Sequence, residues 1–327
     1  MNSFTKNKSG SSLMNNAQMI LLVTEDRYIH PVPEKEYVIN IFREEELTTS
    51  ALHALGYQTK RVSWSDPMVE WDKADWILIR TTWDYFDRLK EFRRWLDRLP
   101  KEKLINPFSL IEWNMDKHYL LDLEQKNLSV VPTKIIPKGS SPNLLERVAD
   151  WDGSEYIIKP TIAGAARLTY RVKHEELSTF KTNLAAYLVH EDFMIQPFVP
   201  SVLSYGELSL MVMGGVYTHG VRKQVKKGDF RVQDDFGGSV EPYQASSEEQ
   251  AFAERVVAQI HPNPVYARVD LLRNDAGDWM VSEVEVIEPE LWFRFSPESA
   301  TLYADAIHQF IVQRHEKSPK SIYKQPF

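Results

Sequence analysis

Residues 266–292 read YARVDLLRNDAGDWMVSEVEVIEPELW. Two runs of strand character, 266–272 and 279–287, flank the turn residues Asp275-Ala276-Gly277, which predicts a β-hairpin. Side chains alternate faces along a strand, so Glu283 and Glu285 project to the same side, roughly 7 Å apart. Arg268 and Asp270 share one face of the partner strand, and a short-loop hairpin sets them opposite or diagonal to the glutamates. Three carboxylates then converge. Clustered hard oxygen ligands suit Mg²⁺; a solvated acidic face is the alternative that the hairpin alone leaves open.

Upstream of the hairpin, Ser246 or Ser247 can cap a helix running through Ile260. Before it, residues 205–213 and 216–223 form a second hairpin across Gly214-Gly215. Arg222, Lys223, Lys226, Lys227 and Arg231 make a basic concentration in an otherwise acidic chain. Along its strand, Lys223 falls on a different face from Arg222. Residues 193–197 read as a strand, left through Gln196-Pro197-Phe198-Val199-Pro200, whose two prolines stiffen a crossover that can act as a hinge. Residues 175–189 carry apolar side chains at helical spacing.

A short apolar strand, 156–158, ends at Lys159-Pro160 and is followed by small residues (Thr161, Ala163, Gly164, Ala165, Ala166) and then Arg167. Small residues let backbone amides approach phosphate oxygens closely. The pattern is not a P-loop, and a tight turn between two strands is the competing reading. Asn114 can cap a helix over 115–126, with Lys117 in its first turn, where free amides and one lysine can hold an anion. Residues 132–136 are strand-like and 143–149 helical.

At the other end of the chain, a buried strand over 19–23, a helix over 37–55 stopped by Gly56, and strands over 58–62 and 76–79 predict a small α/β domain with a parallel sheet. Ligands of such sheets bind beyond the carboxyl ends of the strands. Arg80-Thr81-Thr82-Trp83-Asp84-Tyr85 falls at such an end, with Arg80 suited to a carboxylate. In the alternative, Trp83 and Tyr85 pack on the next helix, 87–98. A last helix is expected over 297–312.

The 327 residues are 43% hydrophobic and 26% charged, which fits a soluble globular chain of two or three domains. A formal charge of −7 argues against nucleic acid or an anionic membrane as partner. The chain has no cysteine, which excludes disulfides and thiolate chemistry and fits a cytoplasmic location. The polar opening residues fit neither a signal peptide nor a membrane span.

Taken in order, N-x-D-K-x-x-L-L, I-I-K-P with its small-residue loop, Q-P-F-V-P, G-E-x-S-L, H-x-V-R-K, G-D-F-R-V-Q, R-V-D and E-x-E-x-I-E-P resemble the ATP-grasp superfamily. The likeness is to the glutathione synthetases and, in more detail including R-T-T-W-D-Y, to the O-ureidoserine cyclo-ligases of cycloserine biosynthesis. The resemblance implies a mixed α/β and α+β ATP-grasp fold: leader 1–18, N-terminal α/β domain 19–105, lobes 106–200 and 201–315 clasping ATP, and a basic tail 316–327. Lys117 and Lys159 are then expected on ATP phosphates, Gln196, Phe198 and Val199 at the adenine, and Glu207 at the ribose. Asp270, Glu283 and Glu285 are expected on Mg²⁺, with Mn²⁺ a substitute. Arg222 and Arg231 are expected near the reacting phosphate, and Arg80, Trp83, Asp84 and Tyr85 beside the substrate. The implied reaction is ATP-dependent joining of a small amino-acid-like carboxylate to an amine, between molecules or within one, through an acyl phosphate. A small-molecule kinase or a non-catalytic nucleotide-binding regulator remain as alternatives, and homo-oligomerisation is left open.

Overall fold

The computed structural model describes residues 17–30, 35–226 and 238–317, so the expectations for Lys227 and Arg231 lie outside the described residues. Four parallel strands, β1 (Met19–Thr24), β2 (Gln58–Ser63), β3 (Trp76–Thr81) and β4 (Leu104–Ile105), form a sheet of order β2-β1-β3-β4. Helix α1 (Glu36–Ala54) joins β1 to β2, and α2 (Leu89–Arg98) joins β3 to β4. Gly56 follows α1 at φ +88°, a left-handed conformation open to glycine at little cost. The expected α/β unit is therefore present.

Helices α3 (Phe108–Asn114) and α4 (Tyr119–Gln125) follow. The expectation of one helix capped by Asn114 is corrected: Asn114 ends α3 and makes no local cap. Its amide donates to the Val284 carbonyl at 2.7 Å and accepts from the Val286 N–H at 2.9 Å. These two partners lie 170 or more residues away.

An antiparallel sheet of order β5-β8-β6-β7 comprises β5 (Lys134–Ile136), β6 (Glu155–Pro160), β7 (Tyr170–Lys173) and β8 (Phe193–Pro197). The short α5 (Leu144–Arg147) and α6 (Leu177–Leu188) cover it through a core that includes Ile136, Leu144, Ile158, Leu184 and Phe193. The small-residue segment thus connects the two strands of a hairpin, as the competing reading had it, but through a nine-residue loop, 161–169, instead of a tight turn.

After α7 (Ser201–Ser204), a five-stranded antiparallel sheet assembles from β9 (Glu207–Met213), β10 (Val216–Gln224), β11 (Ser239–Tyr243), β12 (Tyr266–Arg273) and β13 (Trp279–Glu285), in the order β11-β10-β9-β12-β13. β11 was not anticipated. Helix α8 (Ser247–Ala258) opens with a capping box, the Ser246 hydroxyl accepting from Glu249 N–H and the Glu249 carboxylate from Ser246 N–H. The odd residues 207, 209, 211, 283 and 285 and the even residues 268 and 270 share one face. Leu208, Leu210, Val212, Val269, Leu271, Val284 and Val286 share the other, packed on α3, α4 and α8. The last helix, α9 (Ser299–Lys317), runs past the expected end and places Tyr303, Ile307 and Ile311 in one core with Ile20 and Leu78 of the first sheet and Met211 and Met213 of the third. Among the described residues no helix is long and apolar enough to cross a membrane.

Candidate active site

The second and third sheets face each other across a cavity of about 910 Å³, within the range of small-molecule clefts, and the first sheet closes one end of it. The opening hairpin supplies its acidic wall. Asp270 stands directly opposite Glu283, and Arg268 opposite Glu285. What fixes this strand is the chain before it. β13 is an edge strand, and its outward backbone groups pair with the Asn114 amide, the Tyr119 hydroxyl (from Val284 N–H, 3.0 Å) and residues 129–131 (Val131 N–H to Val281 O, 2.9 Å). With that edge satisfied, Val284 and Val286 are held in the core, and period two turns Glu283 and Glu285 into the cleft.

Each carboxylate has a cation. Asp270, 2% exposed, accepts from Arg268 at 2.9 and 2.8 Å, from the Ser209 hydroxyl at 2.6 Å and from Lys223 at 3.0 Å. Glu283 pairs with Lys117 at 3.0 Å, and Glu285 with Arg268. Burial alone would raise all three acids; for Asp270 the attraction of Arg268 and Lys223 outweighs it, and for Glu283 that of Lys117 and Lys159, so both stay below the ordinary carboxylate range. Glu285, with Arg268 opposed by Glu283 and Asp270, is pushed up by burial to about 7. Among the described residues, the ligand atoms gathered within 4.8 Å of one another belong to Asp116, His118 and Asp192; the three hairpin acids, two of them sharing Arg268 and the third paired with Lys117, stand wider apart.

Lys117 and Lys159 both line the cavity. Lys117 also donates to the Ala163 carbonyl at 2.5 Å, and its N–H to the Thr161 carbonyl at 2.9 Å, so it holds the base of the 161–169 loop. Lys159 has no ion pair within 4.0 Å among the described residues, and burial lowers its pKa. The loop itself carries φ +48°, +53° and +48° at Ala165, Ala166 and Leu168, left-handed values at three non-glycine residues. Its one glycine sits where a Cβ would come 2.7 Å from the Phe86 ring, and Arg167 forks onto Glu191 at 2.8 Å and reaches Asp87 at 3.3 Å.

At the hinge, Gln196, Phe198 and Val199 line the cavity with Val131, Ile157 and Leu272, an apolar slot. Gln196 donates to the Thr133 hydroxyl at 2.9 Å, and the Phe198 N–H to the Glu155 carbonyl at 2.9 Å. Glu207 also lines the cavity, accepting from Ser282 at 2.7 Å and pairing with Lys223 at 2.6 Å.

Other expectations need correcting. Arg222 does not line the cavity: it is on the far side of β10, paired with Glu241 and set over the Tyr205 ring. Lys223, one residue on, points in. Of the four residues expected beside substrate, only Trp83 lines the cavity, its indole donating to the Glu288 carbonyl at 2.9 Å. Arg80 is buried, bonded to Glu44 at 2.6 Å and to the Pro289 carbonyl at 3.1 Å; Asp84 accepts from Trp64 and Arg88; Tyr85 packs in the core with Phe92. Lys223, Arg268, Trp292 and the Tyr28 and Tyr37 rings are cavity residues to which the sequence reading assigned no role.

A cleft between two antiparallel sheets, with paired lysines on one wall and acids on the other, is the architecture of the ATP-grasp ligases, and the chain has the ATP-grasp fold. Residues 170–290 match the RimK-like ATP-grasp domain, and residues 20–106 the N-terminal domain of D-cycloserine synthetase DcsG. The chain is 29% identical over 280 residues to the cycloserine biosynthesis protein DcsG of Streptomyces lavendulae, covering 79% of this chain and 90% of that protein. The crystal structure of D-cycloserine synthetase DcsG superposes with a TM-score of 0.78 at 26% identity, covering 90% of this chain and 99% of that one. D-alanine–D-alanine ligase from Bacillus anthracis, complexed with ATP, shares the fold at a TM-score of 0.60 and 16% identity, over 92% and 99% of the two chains.

Proposed function

We propose that this ATP-grasp ligase joins a small carboxylate to an amine, between molecules or within one, by way of an acyl phosphate. The observation that carries the reading is the meeting in one cavity of two lysines, three carboxylates and an apolar slot beside the hinge. In this reading the slot of Val131, Ile157 and Val199 takes adenine, Glu207 the ribose, and Lys117, Lys159 and the amides of the 161–169 loop the phosphates. A carboxylate is a poor electrophile because oxide is a poor leaving group. Attack of its oxygen on the terminal phosphorus releases ADP and leaves an acyl phosphate; attack of the amine nitrogen on that carbonyl carbon expels phosphate, and the nitrogen gives up a proton. Phosphoryl transfer needs positioning and charge neutralisation more than a side-chain nucleophile. Lys117, Lys159, Lys223 and Arg268 supply positive charge on this chain.

Asp270, Glu283 and Glu285 are hard oxygen donors on one face of adjacent strands, a set that fits Mg²⁺ or Mn²⁺. Such an ion, when bound, would neutralise phosphate charge; it would compete with Lys117 and Arg268 for the same oxygens. The chain's lack of cysteine supports a cytoplasmic setting.

The test is release of ADP and phosphate by the purified protein. It is expected only when a carboxylate and an amine are supplied together, on one molecule or on two. ADP release with the phosphate retained on the product would make the protein a kinase.

A further inference from the structure

Trp292 is held in a conformation that a large side chain rarely adopts. Its backbone is left-handed, with φ +48° and ψ +40°, a strained region for a bulky residue. The residue is 4% exposed, and among the described residues its indole N–H is buried without an acceptor, a second unfavourable feature. The chain on either side leaves it no room to relax. The Leu291 N–H donates to the Glu44 carboxylate at 2.9 Å, the His219 ring holds the Leu291 carbonyl at 2.7 Å, and the Phe295 N–H donates to the Trp292 carbonyl at 2.9 Å. Backbone strain over-determined in this way is typical of sites where it serves geometry.

What the conformation gains is the placement of the ring. Trp292 lines the cleft, with the Arg268 guanidinium carbon 5.0 Å and the Lys223 ammonium 5.8 Å from its ring centre. The two cations come from different strands, β12 and β10, and both bond Asp270. Like charges side by side repel, and the acid holds them only while its oxygens are free; a divalent ion would take those oxygens. The negative face of an indole attracts both cations without claiming their hydrogen bonds, so their N–H donors stay available to a ligand.

We propose that Trp292 is a positioning residue, which keeps Arg268 and Lys223 aimed at the terminal phosphate of the bound nucleotide once the acids are occupied. The proposal rests on the ligase reading, which puts that phosphate in this cleft.

The experiment measures, by calorimetry on the full-length protein with Mg²⁺, the affinities for a non-hydrolysable ATP analogue and for ADP, and follows their ratio. Trp292→Leu fills space but has no ring face. The ratio is expected to fall about fivefold toward ADP, the scale of one cation–π contact, with ADP affinity within twofold because ADP lacks the phosphate concerned. Trp292→Phe, which keeps a ring, should bring the ratio back to within twofold of the unmodified protein. A tetrafluorinated tryptophan incorporated at position 292 alone keeps the shape and drains the ring face of negative charge. The same fall is expected there, and this variant decides the matter if Trp292→Leu does not fold. A ratio unchanged in the fluorinated protein overturns the proposal; so does an equal loss of affinity for both nucleotides, which would make Trp292 a packing residue only. If the unmodified protein binds neither nucleotide, the ligase reading fails and takes the positioning role with it, whereas nucleotide binding with an unmoved ratio removes the positioning role alone.

Discussion

Arg222 and Lys223 are adjacent in sequence and opposite in situation. β10 alternates, so Lys223 enters the cleft between Glu207 and Asp270, where these acids outweigh the penalty of burial and raise its pKa, while Arg222 stays outside on Glu241. The identity of a cation told nothing about its direction; the alternation did, and it was readable, since Glu207 and Lys223 face each other across the β9–β10 pair. Lys159 is a simpler case, a half-buried ammonium on a cavity wall with no ion pair within 4.0 Å among the described residues. Lys159→Ala is expected to weaken ATP binding tenfold or more, about 1.4 kcal/mol, by calorimetry; unchanged affinity would remove it from the phosphate site. His219 permits a pH prediction. It is buried, bonded to the Leu291 carbonyl at 2.7 Å, and its pKa is lowered from 6.5 by burial. The unfolded chain takes up a proton there before the folded one does, so the native state loses stability as pH falls below 6.5. The slope of unfolding free energy against pH below that value should be shallower in His219→Gln than in the unmodified protein.

At the scale of elements, the hairpin, the hinge and the parallel strands were legible because each carries its period and its turn residues in a few consecutive positions. Two features were not. Asn114 reads locally as a cap, and only the distant edge of β13 shows why its amide is needed elsewhere. β11 alternates weakly and gains its place only by pairing with β10. The glycine of G-E-x-S-L has a structural reason that the motif alone does not give. Gly206 sits at φ +90°, and a Cβ there would lie 2.3 Å from the Lys223 carbonyl oxygen, so β9 can begin against β10 only without a side chain. That close approach is what sets Glu207 beside Lys223. Gly206→Ala combines left-handed strain with a clash against backbone, and is expected to cost about 2–4 kcal/mol in chemical denaturation. A loss under 1 kcal/mol would mean that the strand start can shift freely.

On the scale of the whole molecule, the first sheet is tied to the acidic hairpin by a buried ion pair. Arg80, at the end of β3, donates to Glu44 of α1 and to the Pro289 carbonyl; Glu44 in turn accepts from the Leu291 N–H at 3.1 and 2.9 Å. The segment carrying Glu288 is therefore clamped from the first sheet, so the end of the cleft is built by residues more than 200 positions apart. The position of Arg80 at a strand terminus suggested a ligand; what decided otherwise is Glu44, an acid on the preceding helix that nothing in its local sequence marks as buried. Removing one member of such a pair strands the other charge, whereas neutralising both does not. Arg80→Met alone is expected to cost about 3–5 kcal/mol. Adding Glu44→Gln, which keeps an acceptor for Leu291, should restore more than half of that loss, a coupling measured by a double-mutant cycle in chemical denaturation. If Arg80 instead bound a substrate carboxylate, the single substitution would raise KM while leaving stability unchanged, and the second substitution would restore nothing.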